Sequence, residues 1–310
     1  MALPFLGKDD TDRRVLINTI GPVWDLNETW VLVAGASLFA AFPEWYASLF
    51  SGFYLPLLLI LAALIVRGVA FEYRGKGHTI GADEAKWKSR FDWMIVIGSA
   101  LPALLWGVAF ANIVQGVPLN KDHVYTGTLF TLLNPYGLLG GLVTLTLFFT
   151  HGLVFITLKT EGEIKDRARA LATKVGIITT VLAAVFLVWT LIAHFSVFGF
   201  ILTALAALSL IAALVANHFK REGISFSLLV FTIITAVGSL FAALFPNVLP
   251  SSTDPAFSLT IENASSSQYT LTVMSWVAVV MIPLVLLYQG WTYWVFRKRV
   301  SRKSIPAGSH

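Results

Sequence analysis

The chain has 310 residues, of which 56% are hydrophobic and only 13% charged, and its mean hydropathy is +0.76. Soluble domains carry about 25% charged residues, so disorder, collagen, coiled coil and ordinary soluble enzyme folds are excluded. With no cysteine, disulfide frameworks, thiolate metal sites and cysteine nucleophiles are excluded too, and the net charge of +5 is read first as membrane topology, not as a nucleic-acid footprint.

Crossing about 30 Å of hydrocarbon takes about 20 apolar residues in a helix. Eight runs meet this in chain order: roughly 30–50, 54–71, 91–114, 136–158, 175–195, 197–216, 226–245 and 272–296. Each is apolar around its whole circumference, as a helix facing lipid or other helices must be. The alternating strand pattern of a barrel is absent. The sequence predicts an all-α, polytopic transmembrane helix bundle with eight visible spans, forming a single integral membrane domain over 1–310.

The basic residues fall in five regions. Lys8, Arg13 and Arg14 precede the first span, and Arg67, Arg74, Lys76, Lys86, Lys88 and Arg90 end or follow the second. Lys159, Lys165, Arg167, Arg169 and Lys174 follow the fourth, Lys220 and Arg221 the sixth, and Arg297, Lys298, Arg299, Arg302 and Lys303 the last. If eight spans alternate, all five regions share one side and only Lys121 lies on the other, so the positive-inside rule puts both visible termini in the cytoplasm. Of the outer loops only 115–135 and 246–271 are long; the second reads as an ordered polar cap or as a disordered loop.

The 17 acidic residues can all be placed. Asp9, Asp10, Asp12, Asp83, Glu84, Asp122, Glu161, Glu163, Asp166, Glu222, Asp254 and Glu262 read as loop residues, and Asp25, Glu28, Glu72 and Asp92 as the cytoplasmic ends of spans. Only Glu44, beside Pro43, lies within a span. Secondary transporters carry polar or charged groups near the midplane on broken helices; that reading, kept as the alternative, loses weight here. Haem binding needs axial His or Met at matched depth on facing helices. His151 lies roughly 22 Å from the outer end of its span, Met281 roughly 13 Å from that of its own, and His194 almost at an outer end, so no matched pair emerges. A hydrogen-bonded packing histidine is the better reading of His151.

One polar and aromatic stretch remains, Asn18-Thr19-Ile20-Gly21-Pro22-Val23-Trp24-Asp25-Leu26-Asn27-Glu28-Thr29-Trp30, leading into the first span. Asp25 and Glu28 are three apart and share a helix face. A carboxylate at the mouth of a bundle can relay protons, but Asp and Glu also favour the first turn of any helix. Spacing alone leaves these two readings even.

At this stretch the sequence resembles subunit II of the cytochrome bd quinol oxidases. The resemblance rests on Asn18–Asp25, Phe39-Ala40-Ala41-Phe42-Pro43, Arg67-Gly68-Val69-Ala70-Phe71-Glu72-Tyr73-Arg74 and Leu133-Asn134-Pro135-Tyr136-Gly137-Leu138-Leu139-Gly140-Gly141. Phe245–Ser252, Asn263-Ala264-Ser265-Ser266-Ser267 and Trp291-Thr292-Tyr293-Trp294-Val295-Phe296-Arg297 continue it, so it runs from about residue 9 to the end. Two departures stand out: Leu26 and Thr29 replace the usual Gly and Val, and the family has nine helices, so the first is expected to be missing from this chain.

The resemblance implies a respiratory-chain subunit of a bacterial plasma (inner) membrane, multi-pass, with a cytoplasmic C-terminus. Its partner in a heterodimer, subunit I, carries low-spin and high-spin haem b, haem d and the quinol site, and the complex oxidises quinol and reduces oxygen to water. The chain alone is not expected to be catalytic, and no cofactor or metal ligand is assigned to it. Some family members hold a structural quinone in this subunit, and small accessory membrane subunits belong to the same picture; nucleic acid does not. Asp25 matches the family acid on a cytoplasmic proton path, with Glu28 the weaker candidate. Arg67, Glu72 and Arg74 are expected to be structural, with Arg67 and Glu72 pairing with each other or with neighbours at a helix end. A purely structural subunit with no proton role is the third reading.

Overall fold

A computed structural model describes residues 1–81 and 83–305. Two short helices open the chain, α1 (Leu3–Leu6) and α2 (Asp10–Ile20), followed by α3 (Trp24–Ala41), α4 (Pro43–Gly52) and α5 (Tyr54–Tyr73). A 3-10 segment, Arg74–Ile80, leads to α6 (Glu84–Gln115), the short α7 (Leu129–Leu132), α8 (Pro135–Lys159), α9 (Glu163–Ala193), α10 (Val197–His218) and α11 (Glu222–Leu244). A two-stranded antiparallel ribbon, β1 (Asn247–Leu249) with β2 (Leu259–Thr260), precedes α12 (Gln268–Val295).

The all-α bundle follows the hydropathy closely. Among the described residues seven helices, α5, α6 and α8–α12, are long and apolar enough to cross a membrane. The expected first span, 30–50, is the exception, because it is split between α3 and α4. Pro43 has no N–H to continue α3, and Phe42 before it leaves the helical region at φ −135° and ψ 66°. Side-chain caps fix other starts: Asp9 accepts from Asp12 N, Asn134 from Gly137 N just ahead of Pro135, and Ser267 from Thr270 N. The 246–271 segment is an ordered cap, with Leu249, Leu259 and Ala264 buried under its ribbon.

α6 is the centre of the bundle; it packs between α5 and α8, and α9, α10 and α11 continue the layer. Small residues set the close approaches. A Cβ on Gly98 would lie 2.6 Å from the Ala63 carbonyl oxygen of α5, and one on Gly140 of α8 would lie 2.6 Å from Ala111 Cβ of α6. Without a hydrophobic drive inside lipid, such packing and a few interhelical hydrogen bonds hold helices together. Thr144 Oγ1 donates to the Ala103 carbonyl at 2.7 Å, and the hydroxyls of Thr150 and Thr179 (3.1 Å) and of Ser209 and Thr232 (2.8 Å) pair between helices.

The basic end is held by ions. Asp10 and Asp12 are not loop residues; they stand in the first turn of α2, and Asp12 is fully buried. Asp12 takes Arg167 of α9 and Arg302 of the C-terminal turn at 2.7 Å each, and the Lys8 backbone N–H at 3.3 Å. Arg302 also reaches Asp9 at 2.7 Å. Beside this, buried Arg74 donates to Asp92 of α6 at 2.6 Å and to Asp10 at 2.8 Å, while Arg13 meets Asp92 and Lys88 meets Asp10, both at 3.0 Å. Paired geometry of this kind offsets the cost of burying charge, and removing one partner leaves the other stranded.

Asp12→Ala is therefore expected to destabilise the protein by about 3 kcal/mol, read as a lower midpoint in thermal unfolding, with Arg302→Ala milder because Arg302 is more exposed than Arg167. Acid should act in the same place. The Asp12 N–H and the Arg302 guanidinium hold the Asp9 carboxyl below its usual value. Burial alone would raise Asp10, but Arg74 and Lys88 outweigh it and hold that carboxyl low too. A depressed carboxyl stabilises the fold above its unfolded value, about 3.9, and loses that contribution as pH falls through the folded value. Hydrogen-exchange protection of α2, measured against the intrinsic rate at each pH, should therefore fall below about pH 4, with no matching loss of protection on alkalinisation.

Candidate functional site

The candidate acids lie where α3 begins. Asp25 is in the first turn, exposed, and its carbonyl accepts from Thr29 Oγ1 at 3.1 Å. Among the described residues its carboxylate has no ion-pair partner. Glu28, one turn on and on the same face, is half-buried and ion-paired with Arg67 of α5. The Arg67 guanidinium lies 5.9 Å from the Phe71 ring, and Trp24 tilts against Phe71 at 5.4 Å between ring centroids. Gly68 permits this, since a Cβ there would lie 3.3 Å from the Trp24 ring.

Of the two arrangements expected for Arg67, pairing with Glu72 or with a neighbour at the helix end, the second forms, with Glu28. Five residues apart on one helix, Arg67 and Glu72 point to different faces, and Glu72 is exposed. Arg74 belongs to the ion network of α2 described above, not to this cluster. Glu44, expected inside a span, stands exposed in the first turn of α4.

The other face of α3 carries a contact that sequence reasoning missed. Trp30 Nε1 donates to Gln289 Oε1 of α12 at 2.9 Å, Gln289 Nε2 donates to the Leu26 carbonyl at 3.3 Å, and Asn27 Nδ2 donates to the Tyr293 hydroxyl at 2.9 Å. Gln289 is the sole buried residue of α12. A glutamine within the last two turns of a mostly apolar 28-residue helix was the available signal, because a polar amide there needs a partner. The start of α3 is thus held on two sides, by Arg67 of α5 and by Gln289 and Tyr293 of α12, with Asp25 left open.

The structure does not bring the sequence's candidate haem ligands, His151 and Met281, to a common site. His151 of α8 stacks on Phe226 of α11 at 4.7 Å between centroids, and its Nε2 is buried with no hydrogen-bond partner, so the expected hydrogen bond at that atom is absent. Met281 is on the exposed side of α12. Among the described residues there is also no group of three or more His, Cys, Asp or Glu arranged to hold a metal ion.

The model of one family, cytochrome bd terminal oxidase subunit II, matches residues 1–296. The chain belongs to that family. It is a subunit of a respiratory oxidoreductase and a membrane protein, with a subunit I as its partner and haems in the complex. The relatives agree with this assignment to subunit II. Cytochrome bd ubiquinol oxidase subunit 2 of Bacillus subtilis (strain 168) is 43% identical over 310 residues, covering 98% of this chain and 90% of the relative. Cytochrome bd-I ubiquinol oxidase subunit 2 of Escherichia coli (strain K12) is 38% identical over 351 residues, covering 100% and 90%. The probable cytochrome oxidase subunit 2 of Haemophilus influenzae is 36% identical, covering 99% and 90%. The fold is that of the bd oxidase structure from Geobacillus thermodenitrificans, at a TM-score of 0.72 and 16% identity over 96% of this chain and 90% of that one.

Expressed without its partner, this subunit II is expected to show no Soret band. A stoichiometric haem in the isolated chain, lost on His151→Ala, would count against that.

Proposed function

We propose that this chain is the haem-free half of a heterodimer that oxidises quinol and reduces oxygen to water, and that its α3 start feeds protons from the cytoplasm. The haems, low-spin and high-spin b and haem d, are held by subunit I and supply the electron transfer and oxygen chemistry. The observation that carries this reading is the match to subunit II of the cytochrome bd oxidases over residues 1–296. It leaves the independent-transporter alternative without support. In this reading the chain is one integral membrane domain of the bacterial plasma membrane. Its basic end and C-terminus face the cytoplasm, in line with the positive-inside rule.

The partner face follows from packing. The other helices long enough to span bury 22–50% of their apolar stretch inside the chain, whereas α12 buries 0%. α3 likewise has no fully buried residue. A partner covering both would complete them, through an interface of obligate size, above about 2,000 Å².

Each oxygen reduced to two waters takes four electrons and four protons. A haem pocket closed to bulk water needs ionisable groups and ordered water to deliver them. Asp25 suits that task because it is outside any ion pair described here and can bind and release a proton without breaking one. Glu28 must first part from Arg67, which makes it the weaker relay and a better anchor. Arg67 and Arg74 act structurally, each holding acids on a neighbouring helix. Glu72, exposed, marks a helix end.

Asp25→Asn should leave haem absorbance and heterodimer recovery unchanged while slowing quinol oxidase turnover about tenfold or more, a loss of at least roughly 1.4 kcal/mol in the limiting step. Asp25→Glu keeps a titratable group and should keep part of the rate. Wild-type turnover by the asparagine variant in an assembled complex would leave Asp25 as a helix-start residue only, and subunit II as a structural partner.

A further inference from the structure

Between α9 and α10, at the basic end of the bundle, lies an open groove of about 480 Å³. Its walls are Ile177 and Val181 of α9 and Ile211 and Val215 of α10, with Leu214 as the floor. Leu214 sits so deep because Gly176 has no Cβ to hold it off. From Thr173 to Val181 on α9, and from Ile211 on α10 to Phe219 just past its end, the groove rises eight residues, about 12 Å. That is close to one leaflet of a hydrocarbon core about 30 Å thick.

Basic residues stand next in the chain to the residues at one end of this groove. Thr173 and His218 line that end, and Lys174, Lys220 and Arg221 are the neighbouring residues in the chain. All three are exposed and carry no ion pair among the described residues. The acid beside them, Glu222, is already bound to Lys165 at 3.0 Å and to Arg169. Lys220 adopts φ 60°, the left-handed region that glycine would take without strain. The turn is closed by the Arg221 N–H on the Ala216 carbonyl at 2.9 Å, so a lysine follows the groove-lining Phe219 at a position that favours glycine.

We propose that this groove is a binding site for one anionic phospholipid, an acyl chain lying between α9 and α10 and the phosphate engaging Lys174, Lys220 and Arg221. An apolar slot one leaflet long, with unneutralised cations next in the chain to one end, matches that ligand in both shape and charge. A zwitterionic lipid would fill the slot but leave the charge of those cations unmet.

The test uses the assembled complex, exchanged into detergent to remove lipid and titrated with phosphatidylglycerol or phosphatidylcholine under native mass spectrometry. The wild type should retain one phosphatidylglycerol per chain, about tenfold tighter than phosphatidylcholine. The combined Lys174→Gln, Lys220→Gln and Arg221→Gln variant should lose that preference while still taking up phosphatidylcholine. Val215→Trp, which fills the slot, should lose both lipids. A Lys298→Gln and Arg299→Gln variant, equally basic but remote in sequence from the groove, should bind as wild type does. Equal retention of the two lipids by the wild type would overturn the proposal. So would undiminished preference in the triple variant, equal loss in the Lys298 and Arg299 control, or a polypeptide occupying the groove.

Discussion

A buried carboxylate organises the basic end of this molecule. Asp12 has its side chain almost wholly out of water, yet it binds two arginines from distant parts of the sequence and one backbone N–H. Through them α2, α9 and the C-terminal turn are fixed to one another, and Arg74 with Asp92 and Asp10 extends the same grip to α6. In hydrocarbon the helices gain little from apolar contact with one another, since lipid tails are as apolar as leucine. Registration therefore falls to small-residue contacts along the spans and to charge pairs where the spans leave the lipid. Both are present, and they occupy different depths.

How much of this could be read in the sequence follows from the range of each interaction. Length and apolarity of a span are local, so α5, α8 and α10–α12 were legible within a few residues, whereas the polar first turns of α6 and α9 carry those helices back beyond the apolar runs that marked them. The break between α3 and α4 was legible in principle, because Pro43 carries its own reason to end a helix. The buried position of Asp12 was not legible: an acid near the chain start, followed by two arginines, reads as a solvated loop residue. What buries it is Arg167 and Arg302, 155 and 290 residues away. The ordered cap under the β1–β2 ribbon was open for the same reason, since its core residues meet partners from the 115–135 segment.

The candidate site was half legible. Asp25 and Glu28 sharing a face is a matter of helix pitch, and that was read correctly. Their fates differ because of α5: Arg67 stands where it meets Glu28 and leaves Asp25 alone. Of the partners expected for Arg67, Glu72 or a neighbour at the helix end, the structure shows a neighbour, Glu28 of α3. A five-residue step along a helix turns the second side chain to another face.

α3 is thus a helix with assigned sides. One side gives Glu28 to α5, and another gives Asn27, Trp30 and the Leu26 carbonyl to α12. The bonds to α12 matter more than their number suggests, because α12 has no buried apolar residue with which to hold its place. Gln289 and Tyr293 tie it near its end, and beyond that end the Val300 N–H meets the Lys159 carbonyl at 2.7 Å. The middle of α12, from Trp276 to Leu287, is left with its large apolar side chains outward. A helix anchored at one end by polar contacts and bare along its length is suited to being completed by a second chain, with its register already set beside Asp25. The polar clasp and the open acid are then parts of one arrangement. The clasp ties α12 to one side of α3 and the ion pair of Glu28 with Arg67 ties α5 to another, which leaves Asp25 as the acid of this helix start outside any ion pair among the described residues.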